Sequence, residues 1–282
     1  MYVIKLRSII AVLTVVLLFV TVGSVCVVRQ ADAPADDGIR VPVIMYHSIL
    51  RFPAGGSKYI VSPDGFESDL KYLESNGYTT VFMQDLIDYV YEGKPLPEKP
   101  MVLTFDDGYY NNYVYIYPLL VKYNARAVVS IVGSYTDLYT QQRDPNANYA
   151  YLSWDDVREL SDSGFVEIQN HTYSFHSLEG SRKGCRKNRG ESREKYSKVL
   201  ADDLGLMQQK CLEHMGKVPT TFTYPFGIVS EESFDVIKDM GFKASLSCEE
   251  GINILDGNPE RLYMMKRCIR TPGRSVEDIL RK

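Results

Sequence analysis

Short apolar runs rich in β-branched residues alternate with amphipathic segments along most of this chain, and this alternation restricts its fold more than any other feature. The apolar runs include Val41–Met45, Met101–Phe105 and Ala127–Val132, which have the length of strands. Segments such as Asp64–Asn76 and Glu191–Met215 have the apolar spacing of helices. About seven strand–helix units follow one another, which predicts an α/β domain with a parallel sheet.

Polar residues stand directly after four of the predicted strands. His47 follows the first strand, Asp106 and Asp107 follow Phe105, and His171 and the Pro225–Gly227 turn follow two later strands. The carboxyl ends of parallel strands meet at one edge of a sheet or barrel, where active sites lie. The sequence therefore predicts one site that is built from all four places.

The residue types at this edge suit a catalytic metal. Two adjacent buried carboxylates repel each other, and a cation bound to Asp107 would remove that cost and leave Asp106 free as a base. Imidazole nitrogens from His171 and His176 with one carboxylate favour zinc, cobalt, nickel or iron. Three protein ligands leave a coordination position open, as catalytic sites require. The alternative for Asp106, Asp107 and Gly108 is an ordinary turn.

Three motifs resemble those of the polysaccharide deacetylase (NodB-homology) domain, carbohydrate esterase family 4. They are Thr104–Gly108 (TFDDG), His171–His176 (HTYSFH) and Tyr224–Gly227 (YPFG). The resemblance extends over Val41–Ile269 and implies a distorted (β/α)7 barrel.

The resemblance also implies a role for each matching residue. Asp106 would be the general base that takes a proton from the attacking water. Asp107, His171 and His176 would hold one divalent metal, with zinc expected first and cobalt, nickel or iron as alternatives. The backbone N–H of Phe226 would help to stabilise the oxyanion, a contribution that is large where it has been tested.

The chain departs from the common family pattern in three places. Four residues instead of three separate the two motif histidines, Thr223 occupies the place of an arginine that braces the base, and no histidine follows His214. Members acting on poly-β-1,6-N-acetylglucosamine share the longer spacing and take their acid histidine from the first strand, where this chain has His47. We predict that His47 protonates the leaving amine and that Arg267, on the last strand, braces Asp106. An inactive carbohydrate-binding homologue is the alternative.

Aromatic residues near the same edge are candidates for stacking on sugar rings. We predict that Tyr109, Tyr173 and Pro225 contact the substrate. Packing in the core is the alternative for most of the aromatic residues there, because aromatic residues make up 12% of the chain. The other candidates are Tyr46, Tyr110, Trp154 and Phe175.

The N-terminus predicts export. Basic residues precede an uncharged run from Ser8 to Val28, which is long enough to cross a bilayer of ~30 Å as a helix. We predict a signal anchor over residues 1–29, a linker over 30–40 and a deacetylase domain over 41–282. This topology is single-pass in the cell membrane with an extracytoplasmic domain, and secretion after signal cleavage is the alternative.

Charge restricts the partners. After the first 29 residues the chain carries 29 basic and 36 acidic residues, which is unfavourable for binding nucleic acid. We expect a monomer whose partners are a carbohydrate polymer and the membrane. The predicted activity is removal of N-acetyl groups from an amino-sugar polymer, either poly-N-acetylglucosamine or peptidoglycan, at the cell surface. An O-acetyl esterase acting on a polysaccharide is an alternative that the sequence leaves open.

Overall fold

The computed structural model describes residues 38–51 and 57–281. The predicted signal anchor and most of the predicted linker lie outside these residues. Among the helices that are described, none is both long enough and apolar enough to cross a bilayer.

A parallel sheet forms the centre of the domain. The strands of the described residues are, in chain order, β1 (Ile39–Val41), β2 (Val43–Tyr46), β3 (Ser48–Ile49), β4 (Ile60–Val61), β5 (Thr79–Thr80), β6 (Pro100–Phe105), β7 (Ala127–Ile131), β8 (Val166–Asn170), β9 (Thr221–Thr223), β10 (Ala244–Leu246), β11 (Asn253–Leu255) and β12 (Cys268–Ile269). Neighbours in the central sheet follow the order β10-β9-β8-β7-β6-β2-β12, with β5 added beside β6. Every one of these pairs is parallel, as the sequence predicts.

The segment that ends in β12 connects the two edges of this sheet. Cys268 pairs with Ile44 of β2, while Met265 forms a parallel bridge with Leu246 of β10. The amide of Met265 donates to the carbonyl of Ser245 at 2.8 Å. The sheet therefore curls back on itself, in agreement with a distorted (β/α) barrel.

Helices cover the outside of the sheet. They are α1 (Pro63–Ser75), α2 (Met83–Glu92), α3 (Tyr117–Lys122), α4 (Gly133–Gln141), α5 (Trp154–Asp162), α6 (Arg193–Met215), α7 (Glu232–Asp239) and α8 (Val276–Leu280). Local sequence explains several of their starts. Ser153 and Asp156 form a reciprocal capping box before α5, and Ser192 caps α6 by accepting from the amide of Lys195.

Helix α4 and strand β1 are among the elements that differ from the sequence-based expectation. Helix α4 lies in a segment without a clear apolar period, and it begins where Gly133 and Ser134 donate to the carbonyls of Thr172 and Tyr173. Strand β1 begins at Ile39, inside the predicted linker, because it pairs antiparallel with β11. Both elements depend on partners that are distant in sequence.

The two faces of the central strands have different surroundings. Ile44 packs in a cluster with Phe66 of α1 and therefore faces the helices. Its neighbour Val43 belongs to a second apolar cluster and, because side chains alternate along a strand, faces the inside of the barrel. His47 lies four residues after Val43, and Asp106, directly after β6, lies four residues after Val102 of the same cluster, so both share the inward direction. This alternation brings polar groups together above the apolar interior.

Candidate active site

A cleft of about 760 Å³ opens at the carboxyl ends of the strands, which is a usual volume for a ligand site. It contains residues from all four predicted places and several side chains that the sequence did not single out. Its lining includes Met45, His47, Tyr59, Asp106, Asp107, Tyr109, His171, His176, Leu178, Phe226, Cys248 and Arg267.

Three ligand-type side chains converge at one side of this cleft. One ligand atom from each of Asp107, His171 and His176 lies within 4.8 Å of the other two. Asp107 Oδ1 is 3.0 Å from His176 Nε2 and 3.5 Å from His171 Nε2. The same oxygen is buried and makes no hydrogen bond of normal geometry to the described residues. A buried carboxylate oxygen this close to two imidazole nitrogens is an arrangement that one shared cation would fit.

The orientation of His171 is set by a backbone carbonyl. Its Nδ1 lies 2.7 Å from the carbonyl oxygen of Thr223. Because a carbonyl only accepts, Nδ1 carries a proton, and Nε2 is the nitrogen that is left to bind a cation beside Asp107. Such an outer hydrogen bond is the usual support of a metal-binding histidine.

A buried carboxylate on α6 holds the loop between the two histidines. Asp203 accepts hydrogen bonds from the amides of Tyr173 and Ser174 and from Ser174 Oγ, at 2.8, 2.8 and 2.6 Å. Asn170 accepts from the amide of Thr172 at 2.8 Å. These contacts support the longer loop, whose four intervening residues distinguish the chain from the common pattern. Sequence reasoning missed Asp203, because no local pattern marks a loop contact from a helix about 30 residues away.

A bidentate ion pair holds Asp106. Arg267 donates from its two terminal nitrogens to the two carboxylate oxygens at 2.7 and 2.9 Å, and its Nε donates to the carbonyl of Ser247 at 2.7 Å. The Arg267 side chain is completely buried. Burial by itself raises the pKa of Asp106, but the guanidinium and neighbouring histidines outweigh it and hold that pKa below its ordinary value.

His47 faces Asp106 from the neighbouring strand. Its Nε2 lies 4.0 Å from Asp106 Oδ2, and its ring centroid lies 4.8 Å from that of Tyr59. Burial lowers the pKa of His47 below its ordinary value, against the opposing charges of Asp106 and Asp107.

Unusual backbone conformations occur at all three motifs. Asp107, Thr172 and Phe226 have positive φ angles of 74°, 74° and 58°. Residues other than glycine rarely adopt positive φ angles, and such backbone strain concentrates at functional sites. Gly108 continues the first of these turns, where a Cβ atom would lie 2.8 Å from Ile131 Cγ2.

The three predicted substrate contacts have different positions. Tyr109 lines the cleft, whereas Tyr173 and Pro225 are not among the described residues that do so. The hydroxyl of Tyr173 donates to Asp137 at 2.8 Å, and Pro225, the first residue of its turn, is buried. The indole N–H of Trp154 also donates to Asp137. This contact agrees with the alternative that Trp154 packs inside the domain.

A family comparison decides the assignment. The profile described as polysaccharide deacetylase matches residues 93–245, which is more than half of the 282 residues. This chain belongs to the polysaccharide deacetylase family. The matched region contains Asp106, Asp107, His171 and His176, while His47 and Arg267 lie outside it.

Named relatives are similar to this chain over a greater length than the profile is. YxkH of Bacillus subtilis (strain 168) is 27% identical over 236 residues, which cover 84% of this chain and 73% of that protein. The poly-beta-1,6-N-acetyl-D-glucosamine N-deacetylase of Escherichia coli (strain K12) is 27% identical over 227 residues, or 74% of this chain. The aligned region is only 34% of the length of that deacetylase.

A solved structure superimposes on most of the chain. The de-N-acetylase from Aggregatibacter actinomycetemcomitans matches with a TM-score of 0.72 at 29% identity. The match covers 86% of this chain and 99% of that chain.

Proposed function

We propose that this protein is a metal-dependent N-deacetylase that acts on a polymer containing N-acetylglucosamine outside the cell. The observation that carries the proposal is the cluster of Asp107, His171 and His176 beside a separate carboxylate, Asp106, which an arginine holds ionised. The names of the Escherichia coli and Aggregatibacter relatives support an amide substrate. We propose poly-β-1,6-N-acetylglucosamine as the first polymer to test, with peptidoglycan as the second.

Asp107, His171 and His176 would hold one divalent cation, with zinc as the first candidate. The buried, unbonded Oδ1 of Asp107 and the lone pair of His171 fit such an ion. When bound, the cation polarises water and the acetyl carbonyl, which is chemistry that the side chains alone do not supply.

The remaining groups move protons and stabilise charge. Asp106 accepts a proton from the water that attacks the acetyl carbonyl, because Arg267 keeps it ionised. The amide N–H of Phe226 is proposed to donate to the oxyanion that forms. His47, 4.0 Å from Asp106, delivers a proton to the departing sugar nitrogen. The C–N bond of the amide breaks, and acetate and a free amine are released.

The location of the substrate follows from the predicted N-terminal anchor. A domain held outside the cytoplasmic membrane would have direct access to a cell-surface or secreted polymer. We propose that the protein acts there as a monomer, because each group used in the proposed reaction belongs to one chain.

The test is acetate release by the full-length protein. Purified protein supplied with zinc, cobalt or nickel is incubated with β-1,6-linked and β-1,4-linked N-acetylglucosamine oligomers and with an O-acetylated xylan. We expect release from the amide substrates, loss of bound metal and turnover in His171→Ala, and little change in His214→Ala. His214 is the matched control, because it stacks on Trp154 in another part of the domain.

Other results would support the alternatives. Release from the ester alone would favour an O-acetyl esterase. Protein that contains no metal, and whose melting temperature does not rise with zinc or cobalt, would favour a non-catalytic carbohydrate-binding homologue.

A further inference from the structure

One segment of the domain is strongly basic although the domain as a whole is acidic. Residues 182–198, here called the basic segment, contain eight basic and two acidic residues, whereas the rest of the chain after residue 29 contains 21 basic and 34 acidic residues. The segment comprises the end of the loop that follows His176 and the first turns of α6. A patch of one sign on a domain of the opposite sign indicates a charged partner.

The backbone of the basic segment is anchored to the domain. Cys185 is buried in an apolar cluster with Tyr196 and Tyr224, and the hydroxyl of Tyr196 donates to the carbonyl of Cys185 at 2.7 Å. The amide of Lys187 donates to Ser230 Oγ at 2.9 Å. Because these contacts hold the loop in place, its basic side chains are preorganised and less entropy is lost when a partner binds.

Half of the eight basic side chains have no acidic partner among the described residues. Four of the eight form salt bridges, and these are Arg182 with Glu191, Lys187 with Glu232, Arg193 with Asp235 and Lys198 with Asp202. The exposed side chains without a salt bridge to a described residue are those of Lys183, Arg186, Arg189 and Lys195. This half of the positive charge is therefore available to an anionic partner.

Helix stability does not account for the position of these charges. Arg193 and Lys195 lie in the first turn of α6, and the N-terminal end of a helix carries partial positive charge. Basic side chains at that end are unfavourable, and Glu194 is the acidic residue of that turn. An anion bound there would relieve the repulsion among the basic groups.

The basic segment borders the mouth of the cleft without lining it. A Cβ atom on Gly184 would lie 3.6 Å from Phe226 Cδ2, and Phe226 lines the cleft. No basic side chain of the segment is part of that lining. A flat lipid surface in contact with the whole segment would also lie against the mouth. A linear chain can follow the segment and leave the mouth open.

We propose that the basic segment is a docking surface for a linear polyanion, a polymer with phosphate or carboxylate groups on successive units, and that this surface is separate from the catalytic cleft. Arginine forms two parallel hydrogen bonds with either group, and lysine adds a point charge. Charges that are spread over 17 residues match several anionic groups of one chain better than a single ion. Docking would hold an exported domain beside an acidic polymer of the cell surface. The inference does not depend on the proposed deacetylase function.

Binding of labelled long-chain polyphosphate and polygalacturonate to the full chain, in a neutral detergent, tests the inference. Fluorescence anisotropy gives Kd over a range of salt concentrations. We expect both polymers to bind, and binding to weaken steeply as salt increases, because each contact releases a counterion.

The test variant replaces the four unpaired residues together and carries Lys183→Gln, Arg186→Gln, Arg189→Gln and Lys195→Gln. Its affinity for both polymers should fall by roughly tenfold or more at about 0.1 M salt. The slope of log Kd against log salt should fall by about three, because about 0.7 counterion is released per contact with a single strand.

A second fourfold variant with the same net charge is the matched control. It carries substitutions of basic residues on other elements, whose side chains are 48–60% exposed, namely Lys71→Gln, Lys122→Gln, Arg126→Gln and Arg158→Gln. Its Kd for both polymers should stay within about twofold of the original, because salt screens exposed charges that are distant from the contact. Acetate release from a neutral oligomer should be unchanged in both variants, because none of the substituted side chains lines the cleft.

Several results would overturn the inference. Neither polymer binds, or the two fourfold variants weaken binding equally, so that net charge and not the basic segment governs it. A loss of acetate release in the test variant alone would contradict the separation from the cleft. Charge-dependent binding that is confined to vesicles with anionic lipid, and absent with both polymers, would assign the surface to a membrane. Because Kd is measured without turnover, a protein that releases no acetate would remove the proposed function and leave this inference standing.

Discussion

Two arginines near the end of the chain each hold a buried aspartate. The two pairs differ in whether the carboxylate faces the cleft. Arg267 grips both oxygens of Asp106 at 2.7 and 2.9 Å. Three residues later, Arg270 donates from Nε to Asp69 at 2.7 Å. All four side chains are buried, so burial and charge do not distinguish the pairs.

The surroundings of the carboxylates do distinguish them. Asp69 is enclosed by Tyr46, whose hydroxyl donates at 3.0 Å, and by the amide of Val276 at the start of α8. Burial raises the pKa of Asp69, whereas the pKa of Asp106 is held below its ordinary value. Asp106 faces the cleft and His47. We propose that Asp106, which faces the cleft, serves chemistry, whereas the enclosed Asp69 is needed for stability because its removal would leave a buried charge on Arg270 unpaired.

The largest expected effect comes from removing the proposed base. Asp106→Asn should lower kcat by about a thousandfold, because an amide does not take up the proton from water. Acetate release, normalised to metal content, measures this effect. More than a tenth of the original activity in Asp106→Asn would contradict the assignment of the base.

Removing the brace should change the pH dependence as well as the rate. In Arg267→Met the buried Asp106 loses the guanidinium that lowers its pKa, so its pKa should rise and kcat at neutral pH should fall by about a hundredfold. Asp106 is ionised only above its pKa, so the acid limb of the kcat/KM profile should move to higher pH. Arg267→Lys, which keeps a charge, should lie between the two. If the acid limb does not move in Arg267→Met, Arg267 does not set the pKa of the proposed base.

The enclosed pair should affect stability instead. Asp69→Asn leaves the Arg270 guanidinium without its buried counter-charge, which costs ~3 kcal/mol of unfolding free energy. Urea denaturation measures this loss, and kcat of the folded fraction should stay within about twofold of the original because Asp69 lies outside the cleft lining. A selective loss of activity without loss of stability would remove the distinction between the two pairs.

The smallest effect should come from a third buried carboxylate, which holds a loop by hydrogen bonds. Asp203→Asn should weaken metal affinity by about tenfold, because the contacts that position the loop before His176 are impaired. Competition with a chelator measures the affinity. The adjacent Asp202→Asn is the control, since Asp202 is exposed and pairs with Lys198. Equal affinities in the two variants would leave Asp203 without a positioning role.

Much of the fold and part of the site could be predicted from local patterns. The parallel α/β fold and the helix start at Ser153 are confirmed, because strand alternation and capping depend on neighbouring residues. The convergence of His47, Asp106 and His171 follows from parallel strands that end at one edge. Helix α4 and strand β1 were missed because their partners are distant in sequence.

Sequence by itself determined which residue types stand at the ends of the strands, and hence the metal-binding and acid–base chemistry that is available. Tertiary structure decided which side chains come into contact. It pairs Arg267 with Asp106 across 161 positions and directs the hydroxyl of Tyr173 to Asp137. It also leaves Leu178 exposed at the cleft. The physical reason is one of range. Alternation and capping act over a few residues, whereas a contact across the barrel depends on the order of the strands and on how the sheet curls closed.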